Sequence, residues 1–384
     1  MSKTTTIADL VAAGVLSLGD GYRTKQSELR TDGFRIIRVA DIRGGRIALD
    51  SPDFVSAEYA RQIGSKAAQA GDVLLTTKGT VGRVAIVPDL TQDAVYSPQL
   101  CWFRVHGHEH LSARFLSYWL SSAEFTSQAS HLQGNTDMAP YISLFDLRKS
   151  SITLPVREEQ EAIADVLGAL DDKIASNNWL IESADMLMHQ TFVSAAPSIR
   201  VPLSSTASFV NGKAFTKGAS GSGRVVVRIA ELNSGLSGST VFSDAIVADQ
   251  HVARAGDILF AWSGSLTLHR WFRDDAIVNQ HIFKVIPNPE TPAWLSYELI
   301  RSKLDDFKGT AADKATTMGH IQRHHLDELV SVPSRETIAH LSPAMEALWH
   351  LALNAERENL TLAATRDTLL PQLLSGRLRI RDTK

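Results

Sequence analysis

A heptad pattern between Pro155 and Phe192 constrains this sequence more than any other feature. When the chain is followed from Ile163 in alternating steps of four and three residues, seven of eight positions are apolar and only Asn177 is polar. A helix from Arg157 to Phe192 would be about 54 Å long, at about 1.5 Å per residue. Such a narrow apolar stripe on so long a helix predicts a coiled-coil-like helix that needs a partner. A long amphipathic core helix is the alternative interpretation.

Length and composition are ordinary for a soluble protein of two or three domains. The chain has 384 residues, of which 44% are hydrophobic and 21% are charged. The single cysteine, Cys101, excludes an intramolecular disulfide and a cysteine-rich zinc site. The start of the sequence does not read as a secretory signal, and we find no apolar run of about 18 residues. We therefore expect a cytoplasmic location.

The net charge of −3 neither requires nor excludes DNA binding. Residues 151–200 hold eight acidic and three basic residues. The acidity therefore lies on the predicted helix, while the remaining segments are slightly basic.

The chain contains an internal repeat. The stretch AGDVLLTTKGTVGRVAIV begins at Ala70, and AGDILFAWSGSLTLHRWF begins 185 residues later at Ala255. Both stretches read as a Gly-Asp turn, a strand, a glycine-containing tip and a second strand. Further matching residues follow in the same order in both copies. The number of positions between partners falls from 185 to 178, the value for Arg157 and Arg335. A slowly falling offset indicates a duplicated mixed α/β domain that has lost a few loop residues.

A second heptad pattern follows the second copy, as duplication predicts. It runs from Leu341 to Leu373. Ser342-Pro343 is either the N-cap with proline at the first helical position or a break after a short leading turn. Pro371 is expected to bend or end the last turns.

Each heptad seam carries one asparagine, Asn177 in the first helix and Asn359 in the second. A buried asparagine fixes helix register at some cost in stability, so these two residues are candidates for aligning the helices. The alternative is that both lie at a rotated or frayed edge of the stripe.

The predicted fold class is α+β. Two similar mixed α/β domains alternate with two long helices, which we expect to pack antiparallel as a coiled-coil spacer with internal pseudo-two-fold symmetry. The predicted boundaries are 1–154 and 195–333 for the domains, 155–194 for the first helix, and 334–384 for the second helix and tail.

Common catalytic motifs do not occur in the sequence. It has no GxxxxGK[ST], HExxH, CxxC or GxSxG pattern. His320, His324 and His325 cluster, but no carboxylate stands at ligand spacing from them. We therefore predict a non-catalytic chain that binds no metal and no cofactor of its own.

Basic and polar loops recur in both copies and are candidate DNA contacts. Glycine lets a backbone approach a phosphate closely, and Lys, Arg, Ser and Thr supply donors, while Arg and Gln can read guanine and adenine in the major groove. The candidates in the first copy are Arg23, Lys25, Lys78, Thr80, Arg83 and Gln99. Those in the second copy are Lys213, Lys217, Ser263, Ser265, Arg270, Gln280 and His281. A solvated loop charge is the alternative for any one of them, and their recurrence favours a function.

The chain resembles the specificity subunits of type I restriction–modification systems. The matching pieces are GDGYRTKQSEL with IIRVADI, GDVLLTTKGTVGRVAIV, LPVREEQEAIADVLGALDDKI, GDILFAWSGSL and RDTLLPQLLSGRL, spread over essentially the whole chain. The second copy departs from the first at two places. Thr267 stands where the first copy has Gly82, and RETIAHL replaces REEQEAI at the start of the second helix.

This resemblance implies that each domain is a target-recognition domain that reads one half of a bipartite double-stranded DNA sequence. It implies that the helices set the spacing and dock two modification subunits, which hold S-adenosylmethionine and methylate adenine. Restriction/translocase subunits, with ATP and Mg, would join that complex. Because the acidic helix is a poor surface for DNA, we expect Glu161, Asp171, Asp172 and Lys173 to dock the partner subunits.

Two alternatives remain open. The chain could be the specificity subunit of a type IIB-like enzyme, in which modification and cleavage share one partner chain. It could also be a helical scaffold whose domains bind protein or glycan in place of DNA.

Overall fold

A computed structural model of the chain describes residues 3–132, 141–313 and 319–380. The chain divides into two units, the first formed by Met1–Asp172 with Ala363–Lys384 and the second by Lys173–Leu362. The domain boundaries expected from the sequence remain predictions. Within the described ranges, no helix is both long and apolar enough to cross a membrane.

In its described residues, the first half of the chain has twelve short strands and six α-helices. The strands are β1 (Lys3–Thr6), β2 (Leu16–Asp20), β3 (Leu29–Arg30), β4 (Phe34–Ile37), β5 (Ile42–Arg43), β6 (Arg46–Ile47), β7 (Phe54–Val55), β8 (Val73–Thr76), β9 (Val84–Ile86), β10 (Ala94–Tyr96), β11 (Leu100–Val105) and β12 (Ser151–Leu154). The helices are α1 (Ile7–Ala12), α2 (Ala60–Ile63), α3 (Ala113–Leu120), α4 (Ala123–Leu132), α5 (Leu144–Lys149) and α6 (Arg157–Ser194).

The second half has a similar order of elements. Its strands are β13 (Pro197–Pro202), β14 (Ala207–Asn211), β15 (Arg224–Val227), β16 (Phe242–Ser243), β17 (Val252–Ala253), β18 (Ile258–Ala261), β19 (Thr267–Arg270), β20 (Ala276–Val278), β21 (Ile282–Pro287) and β22 (Leu329–Pro333). Its helices are α7 (Ile229–Ser234), α8 (Ala293–Asp313) and α9 (Arg335–Leu374).

An antiparallel sheet with the strand order β2-β11-β8-β9 organises the first unit. Side chains alternate between the two faces of a strand, and both faces of β8 are buried. Val73 and Leu75 join a core with Trp119 of α3 and Leu167 of α6. Leu74 faces the other way, into a smaller core that continues under β4 and β10. The sheet is therefore covered on both sides, which fixes its register firmly.

The second unit repeats this arrangement. Its sheet has the order β14-β21-β18-β19. Phe260 of β18 points into the larger core with Trp294 and Trp349, while Leu259 points into the smaller one. Each unit also has one parallel strand pair, β4 with β10 and β15 with β20. The predicted fold class, with two similar mixed α/β modules and two long helices, is confirmed.

The two long helices extend beyond the heptad stretches, which ran to Phe192 in the first helix and began at Leu341 in the second. α6 continues to Ser194, and α9 begins at Arg335, where the Ser334 hydroxyl accepts a hydrogen bond from the Thr337 backbone at 3.1 Å. Both interpretations of Ser342-Pro343 as a cap or a break are therefore wrong, because α9 passes through it. α9 ends at Leu374, shortly after Pro371.

Within each unit, the segments of α6 and α9 that belong to it run antiparallel. In the first unit the Arg366 guanidinium donates to Asp171 Oδ1 at 2.8 Å, and Leu167 shares a core with Leu373. In the second unit Met188 shares a core with Met345 and Trp349. The heptad residues thus bury their side chains against one another and against the neighbouring sheet.

A layer of polar side chains interrupts the apolar contact in the second unit. The amide of Asn177 donates to Asn359 Oδ1 at 3.0 Å and to Glu358 Oε2 at 2.8 Å. Asn359 in turn donates to Asn178 Oδ1 at 2.8 Å, and Lys173 donates to Asn177 Oδ1 at 3.0 Å. Because Asn177 is only 2% exposed, a shift of the helices would leave its polar groups buried and unpaired.

Replacing Asn177 with alanine should lower the free energy of unfolding by about 1–3 kcal/mol, since buried polar partners lose their hydrogen bonds. The neighbouring Asn178 is exposed, so Asn178→Ala is the matched control and should cost less. Denaturant unfolding of the full chain measures both losses. Equal losses for the two variants would contradict a register role for Asn177.

Candidate nucleic-acid interface

Most candidate contacts of the first copy meet at one edge of its sheet. β2 ends at Asp20, which lies opposite Cys101 at the start of β11, and β8 ends at Thr76 opposite Leu100. The segments that leave β2 and β8 therefore emerge beside the segment that enters β11. We call residues 21–25, 77–83 and 97–99 the first loop edge. It carries Arg23, Lys25, Lys78, Thr80, Arg83 and Gln99, all of which are exposed.

Backbone contacts hold the first loop edge together. The Thr77 amide donates to the Gln99 carbonyl at 2.9 Å, and the Tyr22 amide donates to the Tyr96 carbonyl at 2.7 Å. The Arg83 guanidinium donates to the carbonyls of Val39 and Ile42 at 3.3 and 3.1 Å. Arg83 therefore braces the hairpin tip against the segment after β4, while Lys25 and Lys78 are exposed.

The candidates of the second copy meet at the equivalent edge. β14 ends at Asn211 opposite Phe283, and β18 ends at Ala261 opposite Ile282. We call residues 212–217, 262–267 and 279–281 the second loop edge. Of the candidates that it carries, Lys213, Lys217, Ser265 and His281 are exposed, Gln280 is half-buried and Ser263 is buried.

A glycine permits the chain crossing at each edge. A Cβ atom on Gly21 would stand 2.0 Å from the Ser97 carbonyl oxygen, and one on Gly212 would stand 2.0 Å from the Asn279 carbonyl oxygen. No other residue fits at such a distance, so both positions require glycine. Residues 21–25 therefore lie against the turn before β11, and residues 212–217 lie against the turn before β21.

The second loop edge has an aromatic cluster around a strained residue. His281 has φ of +75°, the only non-glycine residue with a positive φ in the described part of the chain. Its ring centroid lies 5.3 Å from that of Trp262, and the ring of His320 lies 6.4 Å from Trp262. The Trp262 indole donates to Asn211 Oδ1 at 2.8 Å. Left-handed backbone at an exposed, non-glycine residue is typical of binding sites, where surrounding contacts hold it in place.

A buried histidine supports the loop that carries Lys213 and Lys217. His251 is 4% exposed, and its ring packs against Phe215 at a centroid distance of 5.6 Å. Burial lowers the pKa of His251, and the charge of Lys213 lowers it further. A neutral imidazole therefore underlies this loop at pH 7.

Arg270 lies apart from the other candidates. It ends β19 and pairs with Ile258 at the start of β18, so it stands at the opposite end of the sheet. Its Nε and Nη2 donate to the carboxylate of Glu356, each at 3.0 Å, and Nη1 lies 3.3 Å from Asp185 Oδ1. The side chain is 2% exposed, with its guanidinium 4.7 Å from the Trp349 ring centroid. Arg270 thus joins the sheet to the segments of α6 and α9 in its unit.

The electrostatics agree with this placement. Burial opposes the positive charge on Arg270, but the carboxylates of Glu356 and Asp185 outweigh it and raise the pKa of the guanidinium. Removing one member of such a cluster leaves the charges of the others uncompensated in a poorly solvated place.

The variant Arg270→Met should lower the free energy of unfolding by about 3 kcal/mol, because it leaves two partly buried carboxylates without a counter-charge. Arg335 forms an exposed ion pair with Glu290 and provides the control, since Arg335→Met should have no measurable effect. Denaturant unfolding compares them. A stable Arg270→Met protein with weakened DNA affinity would instead return Arg270 to the DNA contacts.

The four docking candidates on α6 differ in their surroundings. Asp171 accepts hydrogen bonds from the Tyr118 hydroxyl at 2.7 Å and from Arg366, and burial together with Asp171 raises the pKa of Tyr118. The side chains of Glu161 and Asp172 are 54% and 73% exposed. Lys173, 49% exposed, pairs with Glu358 at 3.1 Å. Glu161 pairs with Arg157 at 2.8 Å and Asp172 with Arg114 at 3.6 Å, but both remain the most exposed of the four, while Asp171 also stabilises its own unit.

His324 and His325, which cluster with His320 in the sequence, contact each other and the local backbone. The rings of His324 and His325 lie 4.1 Å apart, and His325 Nδ1 is 2.9 Å from the Gln322 backbone nitrogen. Among the residues that the structure describes, no group of three or more His, Cys, Asp or Glu side chains is arranged to hold a metal ion.

Two residues beside the first loop edge were not among the candidates from the sequence. Tyr141 forms an isolated bridge with Lys78, and Phe145 lies four residues later, in the first turn of α5. In the second unit His320 forms the matching bridge with Ser263. The signal was present as YISLFDL and HIQRHHL, which align through the repeat at an offset of 179.

The chain is similar to known proteins in sequence and in fold. Residues 3–184 match the family described as type I restriction modification DNA specificity domain. The type I restriction enzyme MjaVIII specificity subunit of Methanocaldococcus jannaschii is 27% identical over 164 residues, 42% of this chain and 38% of that protein. The EcoBI specificity subunit of Escherichia coli is 29% identical over 157 residues, 39% of this chain and 29% of that protein. The chain thus matches less than half the length of either relative.

A solved structure extends the likeness in fold. The crystal structure of a type I restriction–modification system S subunit from M. genitalium matches 97% of this chain and 96% of its own, with a TM-score of 0.59 and 16% sequence identity. At this identity the match shows that the two chains share a fold.

Proposed function

We propose that the chain is the DNA-recognition subunit of a type I restriction–modification system, because residues 3–184 match the family described as type I restriction modification DNA specificity domain. Each loop edge contacts one half of a bipartite, asymmetric double-stranded DNA target. One observation carries the proposal: equivalent sheet edges in the two units gather exposed lysines and hydrogen-bonding side chains, supported by the same glycine crossing.

The two kinds of side chain have different tasks at each edge. Lys78 and Thr80 at the first edge, and Lys213 and Ser265 at the second, are suited to phosphate contacts that position the protein. Gln99 and His281 are exposed at the entrances to β11 and β21. Gln99 can bond two atoms of an adenine edge, and these entrances are therefore our candidates for base reading.

The chain itself performs no chemistry in this proposal. Two modification subunits dock on α6 and α9 and hold S-adenosylmethionine, and restriction/translocase subunits with ATP and Mg join through them in the cytoplasm. The exposed carboxylates of Glu161 and Asp172, on a helix with excess acidic residues, favour a protein partner over DNA at this surface.

Lys78→Ala and Lys213→Ala should each weaken duplex binding and reduce the slope of log affinity against log salt concentration by about one. Arg335→Ala removes an exposed charge away from both loop edges and should leave the slope unchanged. Titrations of the full chain at several salt concentrations measure these slopes. Unchanged affinity and slope in both lysine variants would favour the scaffold that binds protein or glycan.

Reversing the charge at Glu161 and Asp172 should weaken assembly with the modification partner and leave the target unchanged, because those side chains lie outside both loop edges. In a host that expresses the chain with its partner, methylome sequencing should show one motif of two short parts with a fixed gap. The double variant should reduce the methylated fraction without altering the motif. An altered motif, or one contiguous motif in the parent protein, would contradict the proposal. The neighbouring genes distinguish the two kinds of system, because in a type IIB-like enzyme modification and cleavage share one partner chain.

A further inference from the structure

The first loop edge continues onto a pair of exposed aromatic rings. The Ile142 amide donates to the Thr77 carbonyl at 3.0 Å, and this contact places Tyr141 beside Lys78. Tyr141 is 44% exposed, and Phe145, in the first turn of α5, is 71% exposed. These rings are thus presented to solvent directly next to the residues proposed to contact phosphates.

Positive charge surrounds the exposed phenylalanine. Arg148 and Lys149 are exposed and stand three and four residues after Phe145, so they share its side of α5. The Lys149 ammonium lies 4.0 Å from the centroid of the Phe145 ring. Asp146, the acidic residue of α5, already accepts hydrogen bonds from Ser143 at 2.6 Å and from Lys149 at 3.0 Å. A positively charged surface with an exposed aromatic ring is suited to bind a polyanion that also has apolar faces.

The second unit has the same arrangement with other side chains. The Ile321 amide donates to the Trp262 carbonyl at 3.0 Å, and His320 bridges Ser263 as Tyr141 bridges Lys78. His324 is exposed at the position that corresponds to Phe145, and Arg323 is exposed beside it. Both units therefore place a ring and a cation at the same point of the loop edge.

We propose that Phe145 contacts bases directly, as an aromatic wedge against a base step of the duplex held at the first loop edge. Arg148 and Lys149 lie on the flanking phosphates, and His324 takes the equivalent place in the second unit. The inference rests on the proposed function and adds to it a contact that cations and hydroxyls cannot make. Apolar side chains that press between base pairs partly unstack them and bend the duplex.

A protein partner is the competing occupant of this surface. Lys149 pairs with Asp146, and Lys78 and Arg148 add two further positive charges, so the surface keeps a net positive charge and a polyanion is the better match. The repetition at the second loop edge, which shares the sheet position but not the side chains, also favours a ligand common to both edges.

The test uses the full chain and a duplex that it selects from a random-sequence pool. Phe145→Ala should weaken binding of this duplex about 5- to 100-fold, the range for losing an aromatic contact to a base. The salt slope should stay unchanged, because no charge is removed. Trp179→Ala, which removes an aromatic side chain of 68% exposure from α6, is the matched control and should bind as the parent does. In duplexes with 2-aminopurine at successive selected positions, the parent should raise the fluorescence at one step, and Phe145→Ala should not.

Each contrary outcome has a separate meaning. If Phe145→Ala binds like the parent while Lys78→Ala binds more weakly with a reduced slope, the wedge is overturned and the proposed function stands. If Phe145→Ala binds DNA normally but loses affinity for the modification partner, the surface is a protein-docking site and the wedge is again overturned. If the parent enriches no duplex from the pool, the proposed function fails and the wedge fails with it.

Discussion

The antiparallel pairing of β11 with β8, and of β21 with β18, determines where every loop of interest emerges. Because these central strands are buried on both faces, their register cannot slip without exposing half of their side chains. The register places the end of β2 and the end of β8 beside the start of β11, and it does the same for β14, β18 and β21. The strand register therefore fixes the position of the loops, and the loop side chains determine the polar groups and charges at that position.

The two units show how one scaffold carries different surfaces. Lys78, Thr80 and Phe145 in the first unit correspond in position to Ser263, Ser265 and His324 in the second, on the same strand order. Val73–Leu75 of β8 and Ile258–Ala261 of β18 stay apolar, since both strands must fill a core on each face. Separation of core from edge lets the residues that contact a ligand change without a penalty in packing.

The sequence predicted the long helices and the repeat because both follow from periodicity and glycine position. It also pointed to Asn177, since one polar residue on an apolar seam is visible without coordinates. The cap or break expected at Ser342-Pro343 was wrong because proline is a strong local signal, and local signals yield to the tertiary packing of Met345 and Trp349. Arg270 was grouped with the loop residues because a sequence does not show which end of a hairpin strand meets solvent. Phe145 was missed for a related reason, since exposure of an apolar residue is invisible in a pattern that equates apolar with buried.

The buried cluster of Arg270 has a consequence for the exchange of sequence between related proteins. Arg270 lies on β19, whereas its two carboxylates, Asp185 and Glu356, lie on α6 and α9. A chimaera that receives its globular segment from one parent and its helices from another inherits the guanidinium and the carboxylates separately. Such a hybrid folds well only if the incoming segment brings a cation to the same place, so this cluster restricts which segments are interchangeable.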